Sequence, residues 1–299
     1  MNQLEQLQFT TMSDAELIEQ LCTLGDNLPR EVIDEVVERS TRVIPYLQAI
    51  VSDKNSWTRP TPEWWMVVHA TYALGAMEIP ETLPALLAAL RWADAFECEW
   101  VAEDIPCMFG KLGEVAFAPL AAVLSDFSAG WSARSTALSS LAATCLTAPF
   151  LKEQMLDLAA RIVADTDEPV PLRQTAANVL LDFRSQMHRT VLMEFGLEEA
   201  QRKEEIANYE GAYYHWEVDD FLDSDETASD LDFYLRDWLM FYDPEERARR
   251  NDFWTEEDRH KERVVESAFD GIIDTSGYLT QCPCGSGRDY DDCCAKKIH

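Results

Sequence analysis

The sequence predicts an all-α chain, an α-solenoid of stacked helix pairs with a small zinc-binding module at its C-terminal end. Three observations carry this prediction. Proline-anchored apolar segments recur with a period in the high thirties. Apolar residues within them follow helical spacings of three and four, with no strand-type alternation. Finally, four of the eight cysteines crowd into the thirteen positions from Cys282 to Cys294.

The first helix is predicted from Ser13-Asp14-Ala15-Glu16, a capping box in which serine and glutamate each satisfy a free backbone N–H of the helix start. It opens a helix pair, Asp14 to Leu28 and Arg30 to Arg39, suited to cap the stack. The repeats follow. Val43-Ile44-Pro45-Tyr46-Leu47, Thr82-Leu83-Pro84-Ala85-Leu86 and Phe117-Ala118-Pro119-Leu120-Ala121 are three copies, their prolines 39 and then 35 residues apart. A fourth copy near Leu156 to Ala160 lacks the proline. In the clearest unit, Trp64 to Gly75 reads as an Ala-rich helix, Met77 to Pro80 as a turn and Glu81 to Trp92 as the partner helix. Ala70, Ala73 and Gly75 permit close approach of the two helices, and Leu83, Leu86, Leu87 and Leu90 form the apolar stripe. Pro80, Pro84 and Pro119 are placed at or near first turns, where a missing N–H costs little.

These segments resemble HEAT-like repeats. Val67 to Gly75 followed by Pro84-Ala85-Leu86 is the closest copy, and Arg134-Ser135-Thr136-Ala137 and Arg173-Gln174-Thr175-Ala176 carry the family's Arg-x-x-Ala element. The first two copies lack that arginine. The resemblance spans about Glu31 to Glu199 and implies a curved stack with a concave, protein-binding face.

Three segments are expected: a helical repeat domain at 1–200, an acidic and aromatic-rich connector or cap at 201–280, and the cysteine module at 281–299. From Glu217 to Asp232 there are eight acidic residues and no basic one, which predicts a solvated loop. Phe233, Tyr234, Trp238, Phe241, Tyr242, Phe253 and Trp254 belong to a density of aromatics too high for a disordered tail. Leu231 to Tyr242 and Thr255 to Ile273 are expected as amphipathic helices covering the open end of the solenoid, with Thr255-Glu256-Glu257-Asp258 as a second capping box. The sharper alternative is that aromatics amid acids form a docking patch for a partner. Arg247, Arg249 and Arg250 read as a charged helical face.

In the module, Cys282 and Cys284 precede Cys293 and Cys294 as C-x-C, eight residues, then C-C. Four thiolates around one point are the ligand set of a structural zinc site. Pro283 fixes a backbone angle and Gly285 and Gly287 allow the turn that follows. Two disulfides or a redox dithiol are the competing readings. Nothing indicates an oxidising compartment, and a C-x-x-C near a βαβ pattern is lacking. Cys282-Pro283-Cys284-Gly285-Ser286-Gly287, with Tyr290, Cys293 and Cys294, resembles the SEC-C motif, found at the C-terminus of the SecA translocation ATPase and on many bacterial proteins. The resemblance implies that the four cysteines bind one zinc and that the module contacts another protein, with Arg288 and Tyr290 as the expected contact residues. Lysines common in the family are replaced here by Asp289, Asp291 and Asp292, so the module is neutral. That weakens any role needing a cationic module against RNA or anionic lipid.

A formal charge of −30 over 299 residues excludes nucleic-acid binding as a main role and disfavours an anionic membrane. It favours a basic protein partner. No secretory signal and no membrane-length apolar run are read, so a cytoplasmic, bacterial setting without membrane insertion is expected. Cys22, Cys98, Cys107 and Cys145 are expected as buried free thiols.

No catalytic residues are expected. His69, His188, His215, His260 and His299 are the five histidines, and none precedes a glutamate, so the His-Glu dipeptides of di-iron HEAT-repeat hydroxylases are lacking. Phosphate-loop, nucleophile-elbow and dinucleotide motifs are likewise lacking. Trp57, Trp64, Trp65, Trp92 and Trp100 are read as inter-repeat packing or as a groove lining. Glu97, Glu99, Glu103 and Asp104 are read as exposed helix acids or a cation site. The expected function is a zinc-binding adaptor or scaffold for protein partners. The alternative is a HEAT-repeat enzyme or enzyme subunit with a concave-groove site near Trp64, Trp65 and His69.

Overall fold

A computed structural model describes residues 9–205, 215–223 and 229–255, and all regular structure among them is helical. The α-helices with defined bounds among the described residues are α1 Asp14–Thr23, α2 Arg30–Arg39, α3 Ile44–Ser52, α4 Met66–Ala76, α5 Leu83–Ala95, α6 Glu99–Leu112, α7 Glu114–Leu124, α8 Trp131–Thr147, α9 Lys152–Ala164, α10 Val170–Asp182, α11 Arg189–Glu205 and α12 His215–Leu222. Two 3₁₀ segments follow, Ser229–Leu235 and Trp238–Tyr242, and a further helical run covers 244–255. The chain divides into two compact units, Met1–Asp243 and Pro244–His299. No described helix is long and apolar enough to cross a membrane.

Local chemistry sets the helix ends. The expected capping box forms: Ser13 N donates to Glu16 Oε2 at 2.8 Å and Glu16 N donates to Ser13 Oγ at 3.3 Å. Pro45 and Pro84 occupy the first turns of α3 and α5. Pro119 does not follow them. It lies inside α7, past the first turn, where the Val115 carbonyl loses its i+4 donor. Pro106 is likewise inside α6. Gly113, at φ +63°, ends α6 and starts α7, a reversal in the region where a Cβ is strained.

In the first unit, α4, α6, α8 and α10 pack successively side by side. This row carries the densest burial: ten of the eleven residues of α4 are buried. The close approach of neighbours in the row depends on small residues. A Cβ added to Gly75 would stand 2.5 Å from Met108 Cγ on α6, and one at Gly110 would stand 3.0 Å from Ala143 Cβ on α8. Gly75 therefore admits the next helix of the row, not the partner helix of its own unit as the sequence suggested. Helices α3, α5, α7 and α9 cover the row from their connecting positions, α11 packs on α9, and α12 rests on α11 and α10. One continuous apolar core runs from Leu17 to Tyr242.

The arginines of the two Arg-x-x-Ala elements do one job twice. Arg134 on α8 is buried, and its Nε donates to the carbonyl of Leu124 at the end of α7 at 2.7 Å. Arg173 on α10 is buried, and its Nε donates to the carbonyl of Val163 near the end of α9 at 2.9 Å. Each arginine thus satisfies a helix-terminal carbonyl ten residues before it. Each is also paired with an acid, Arg134 with Glu168 at 2.5 Å and Arg173 with Glu198 at 2.8 Å.

Two connector expectations are corrected. Leu231 to Tyr242 is not an amphipathic α-helix: two 3₁₀ runs break at Arg236 and Asp237, where the Asp237 side chain accepts from Leu239 N and starts the second. The acidic stretch from Glu217 is not all loop, since its start lies in α12. Thr255 ends the described run 244–255, its hydroxyl donating to the Asn251 carbonyl at 2.7 Å, and the rest of the expected capping box, 256–258, lies outside the described residues. The remainder of the expected second helix, to Ile273, lies outside the described residues.

Candidate functional site

The row α4, α6, α8 and α10 presents a line of aromatic and polar side chains, and the chain's own segment 229–242 lies along it. The two 3₁₀ runs act as a strap. Its first run packs on α6 and α8, and its second on α4. Tyr234, Trp238, Phe241 and Tyr242 point into the row and are buried. Rings of this size bury roughly 150–250 Å² each, so the strap supplies a large part of the local apolar contact.

Phe241 is the central plug. Its ring centroid lies 5.7 Å from Trp65, 5.6 Å from Tyr72, 5.6 Å from Trp100 and 6.0 Å from His69. Several of these contacts are edge-to-face, the arrangement ring quadrupoles prefer. Polar contacts fix the register. Trp238 Nε1 donates to the Tyr72 carbonyl at 3.2 Å, and the Tyr234 hydroxyl donates to Asp182 at 2.6 Å. The Arg30 guanidinium donates to the Leu239 carbonyl at 3.1 Å.

His69, the histidine of the expected groove site, has no exposed surface. Its Nε2 lies 2.8 Å from the Gly25 carbonyl, which can only accept, so Nε2 carries the proton. Its Nδ1 lies 2.9 Å from the Tyr242 hydroxyl and, in the neutral ring, accepts from it. His69 therefore clamps the strap to the α1–α2 connection. The structure does bring Trp65 and Trp100 to the place the sequence suggested, 5.6 Å apart, with Trp64 at their edge. Trp57 is instead a core residue bonded to the Val51 carbonyl, and Trp92 pairs with Phe96.

Beside this cage, the Tyr72 hydroxyl donates to Asp104 Oδ2 at 2.5 Å, and Arg236 of the strap approaches Asp104 at 3.2 Å. Burial pushes the Asp104 carboxyl up, opposed by the Tyr72 hydrogen bond and by Arg236. Burial also carries the Tyr72 hydroxyl well above its ordinary value, with Asp104 adding to the shift. The Cys107 thiol, raised by burial, donates to the Phe233 carbonyl of the strap at 3.3 Å. Asp104 thus belongs to the strap's latch, and among the described residues no cluster of three His, Cys, Asp or Glu is arranged for a metal. Tyr72, Cys107 and Arg236 escaped sequence reasoning; only the aromatic density around 233–242 pointed to the region.

Of the four scattered cysteines, Cys98, Cys107 and Cys145 are buried, and Cys22 is half-buried. A second polar grouping surrounds an open depression of about 500 Å³ lined by Asp157, Arg161, Met187, His188 and Glu194. The His188 ring bridges Ser185 Oγ at 2.8 Å and Asp157 at 3.3 Å. Ser185 is only 6% exposed and stands behind the ring, so the trio ties a turn to α9 and offers no open nucleophile.

Cys282, Cys284, Cys293 and Cys294, with Arg288 and Tyr290, lie outside the described residues. The SEC-C motif family matches residues 280–296, which contain all six. No curated protein and no solved structure matches the chain.

Proposed function

We propose that this chain is a zinc-binding adaptor or scaffold for protein partners, built from a HEAT-like α-solenoid and a SEC-C-like module. The observation that carries the reading is the SEC-C match over residues 280–296, with its four cysteines spaced C-x-C, eight residues, C-C. Four thiolates suit Zn²⁺, fill its coordination sphere and leave no position for a substrate, so the metal would be structural. Bound, it would supply most of the folding energy of a module too small for its own core, on the order of 10 kcal/mol.

The body supports the finer reading through the successive packing of α4, α6, α8 and α10 and through the repeated work of Arg134 and Arg173. A formal charge of −30 favours a basic protein surface as the partner. The enzyme alternative needs an accessible His69 beside carboxylates, and His69 is sealed between Gly25 and Tyr242.

The test is affinity capture from lysate at native expression level, with the full chain beside a truncation ending at Thr280. A partner held by the full chain and lost by the truncation is the expected result. A partner held equally by both would move docking to the helical body. Capture of nothing by either would overturn the adaptor reading.

A further inference from the structure

The strap sits on its helices as a bound peptide sits on a receptor. Groove side chains take the strap's backbone: Arg30 donates to the Leu239 carbonyl at 3.1 Å, and the Cys107 thiol donates to the Phe233 carbonyl at 3.3 Å. The strap's side chains in turn take helix carbonyls, Trp238 on Tyr72 at 3.2 Å and Arg236 on Glu103 at 2.5 Å. Between these bonds, side chains of the strap enter aromatic or polar slots. Tyr234 reaches Asp182, Arg236 reaches Asp104, Trp238 lies on α4, and Phe241 and Tyr242 close on Trp65, His69 and Trp100.

The strap is also one layer thick. Phe233, Leu235 and Met240, interleaved with the buried anchors, are 43%, 60% and 58% exposed. The i→i+3 hydrogen bonds of short 3₁₀ runs have poorer geometry than those of an α-helix. The helices beneath pack on one another independently of it, through Gly75 against Met108 and Gly110 against Ala143. Because the helices keep that packing without the strap, its release need not unfold them.

We propose that the inner face of α4, α6 and α8 is a peptide-docking groove that the chain fills with its own residues 229–242. When the strap leaves, the groove takes a partner segment of the same chemistry, three or four aromatic rings around one arginine. The arginine is selected by Asp104 and Glu103, which face it from α6. The rings are selected by the Trp65, Tyr72 and Trp100 cage. This names the partner chemistry for the adaptor reading and rests on it for its biological use. The tethered strap, at an effective concentration of about millimolar order, excludes weak competitors until a partner outbids it.

Cys107 reports the opening. It is 3% exposed beneath the strap, whereas Cys145 is 2% exposed near the end of α8. The experiment labels the full-length native protein with a maleimide and follows each cysteine by peptide mass spectrometry. It is run on wild type and Arg236→Glu, with and without a synthetic peptide of residues 231–243. Cys107 is expected to label about tenfold or more faster than Cys145, because only Cys107 is freed by local opening. Arg236→Glu is expected to speed Cys107 further and leave Cys145 unchanged, and the peptide in excess is expected to slow Cys107 again. Equal rates for Cys107 and Cys145 in wild type would overturn the proposal, with no variant needed. Fast Cys107 labelling that the peptide leaves unaltered would overturn the groove as a peptide site. Neither readout depends on capture of a partner, so failure of the adaptor reading is separately visible.

Discussion

Arg134 shows how much one side chain can hold. It bonds the carbonyl that ends α7 and pairs with Glu168, both side chains being under 10% exposed. Removing the arginine leaves a buried carboxylate and an orphan carbonyl, so Arg134→Ala is expected to cost about 3–5 kcal/mol in urea unfolding. Arg134→Met with Glu168→Leu, which removes both charges, is expected to cost markedly less. The carboxylates set the pH response. Asp14 is held below its ordinary 3.8 by the Arg39 hydrogen bond, and Glu16 below 4.5 by the backbone of Ser13. Depressed folded values give stability that is complete above those ordinary values and lost as the pH falls through the lowered ones. Asp104 acts with the opposite sign. Burial raises its value, so its contribution is present at low pH and is lost as the pH rises through the raised value. Asp104→Asn still accepts from Tyr72 and no longer titrates. Thermal melts should therefore show it gaining on wild type as the pH rises above the ordinary carboxylate value of 3.8, and a pH-independent difference would contradict the burial argument.

Among the elements, the row of α4, α6 and α8 depends on close approach at Gly75. Gly75→Ala drives a methyl into Met108, down to that residue's own Cβ at 2.9 Å, and is expected to cost about 1–3 kcal/mol. Gly75→Ala with Met108→Ala should lose less than the two single changes summed, which a double-mutant cycle in denaturant measures. The helices themselves were legible because their signals are local: the Ser13 and Glu16 cap, Pro45 and Pro84 in first turns, Leu86 and Leu90 at helical spacing. The Arg-x-x-Ala elements also marked two real arginine positions, though their acids at 168 and 198 carry no such signature. What failed was non-local. Leu231 to Tyr242 has a helical apolar spacing, but its partners lie 126 to 173 residues earlier in Cys107, Tyr72 and His69. Contacts with those partners outweigh the segment's own helical tendency and spread it along three helices. The cover over Trp65 and His69 was not legible in the sequence, because it comes from Phe241 and Tyr242 in a distant segment.

At the scale of the molecule, the acidic connector is part of the body up to Asp243, where the second unit begins. The strap completes the core on the inner face, so a chain ending at Asp243 is expected to melt well above one ending at Leu222. Equal melting of the two would mean that Trp238, Phe241 and Tyr242 contribute nothing to stability. The function assigned to the chain rests on its cysteine module. The most direct measurement is zinc content of the purified full chain by inductively coupled plasma mass spectrometry, beside the double variant Cys282→Ser, Cys284→Ser. The account predicts about one zinc per wild-type chain, the stoichiometry of a four-thiolate site, and essentially none in the variant. A wild-type chain without zinc, or a variant that keeps it, would contradict the account at its centre.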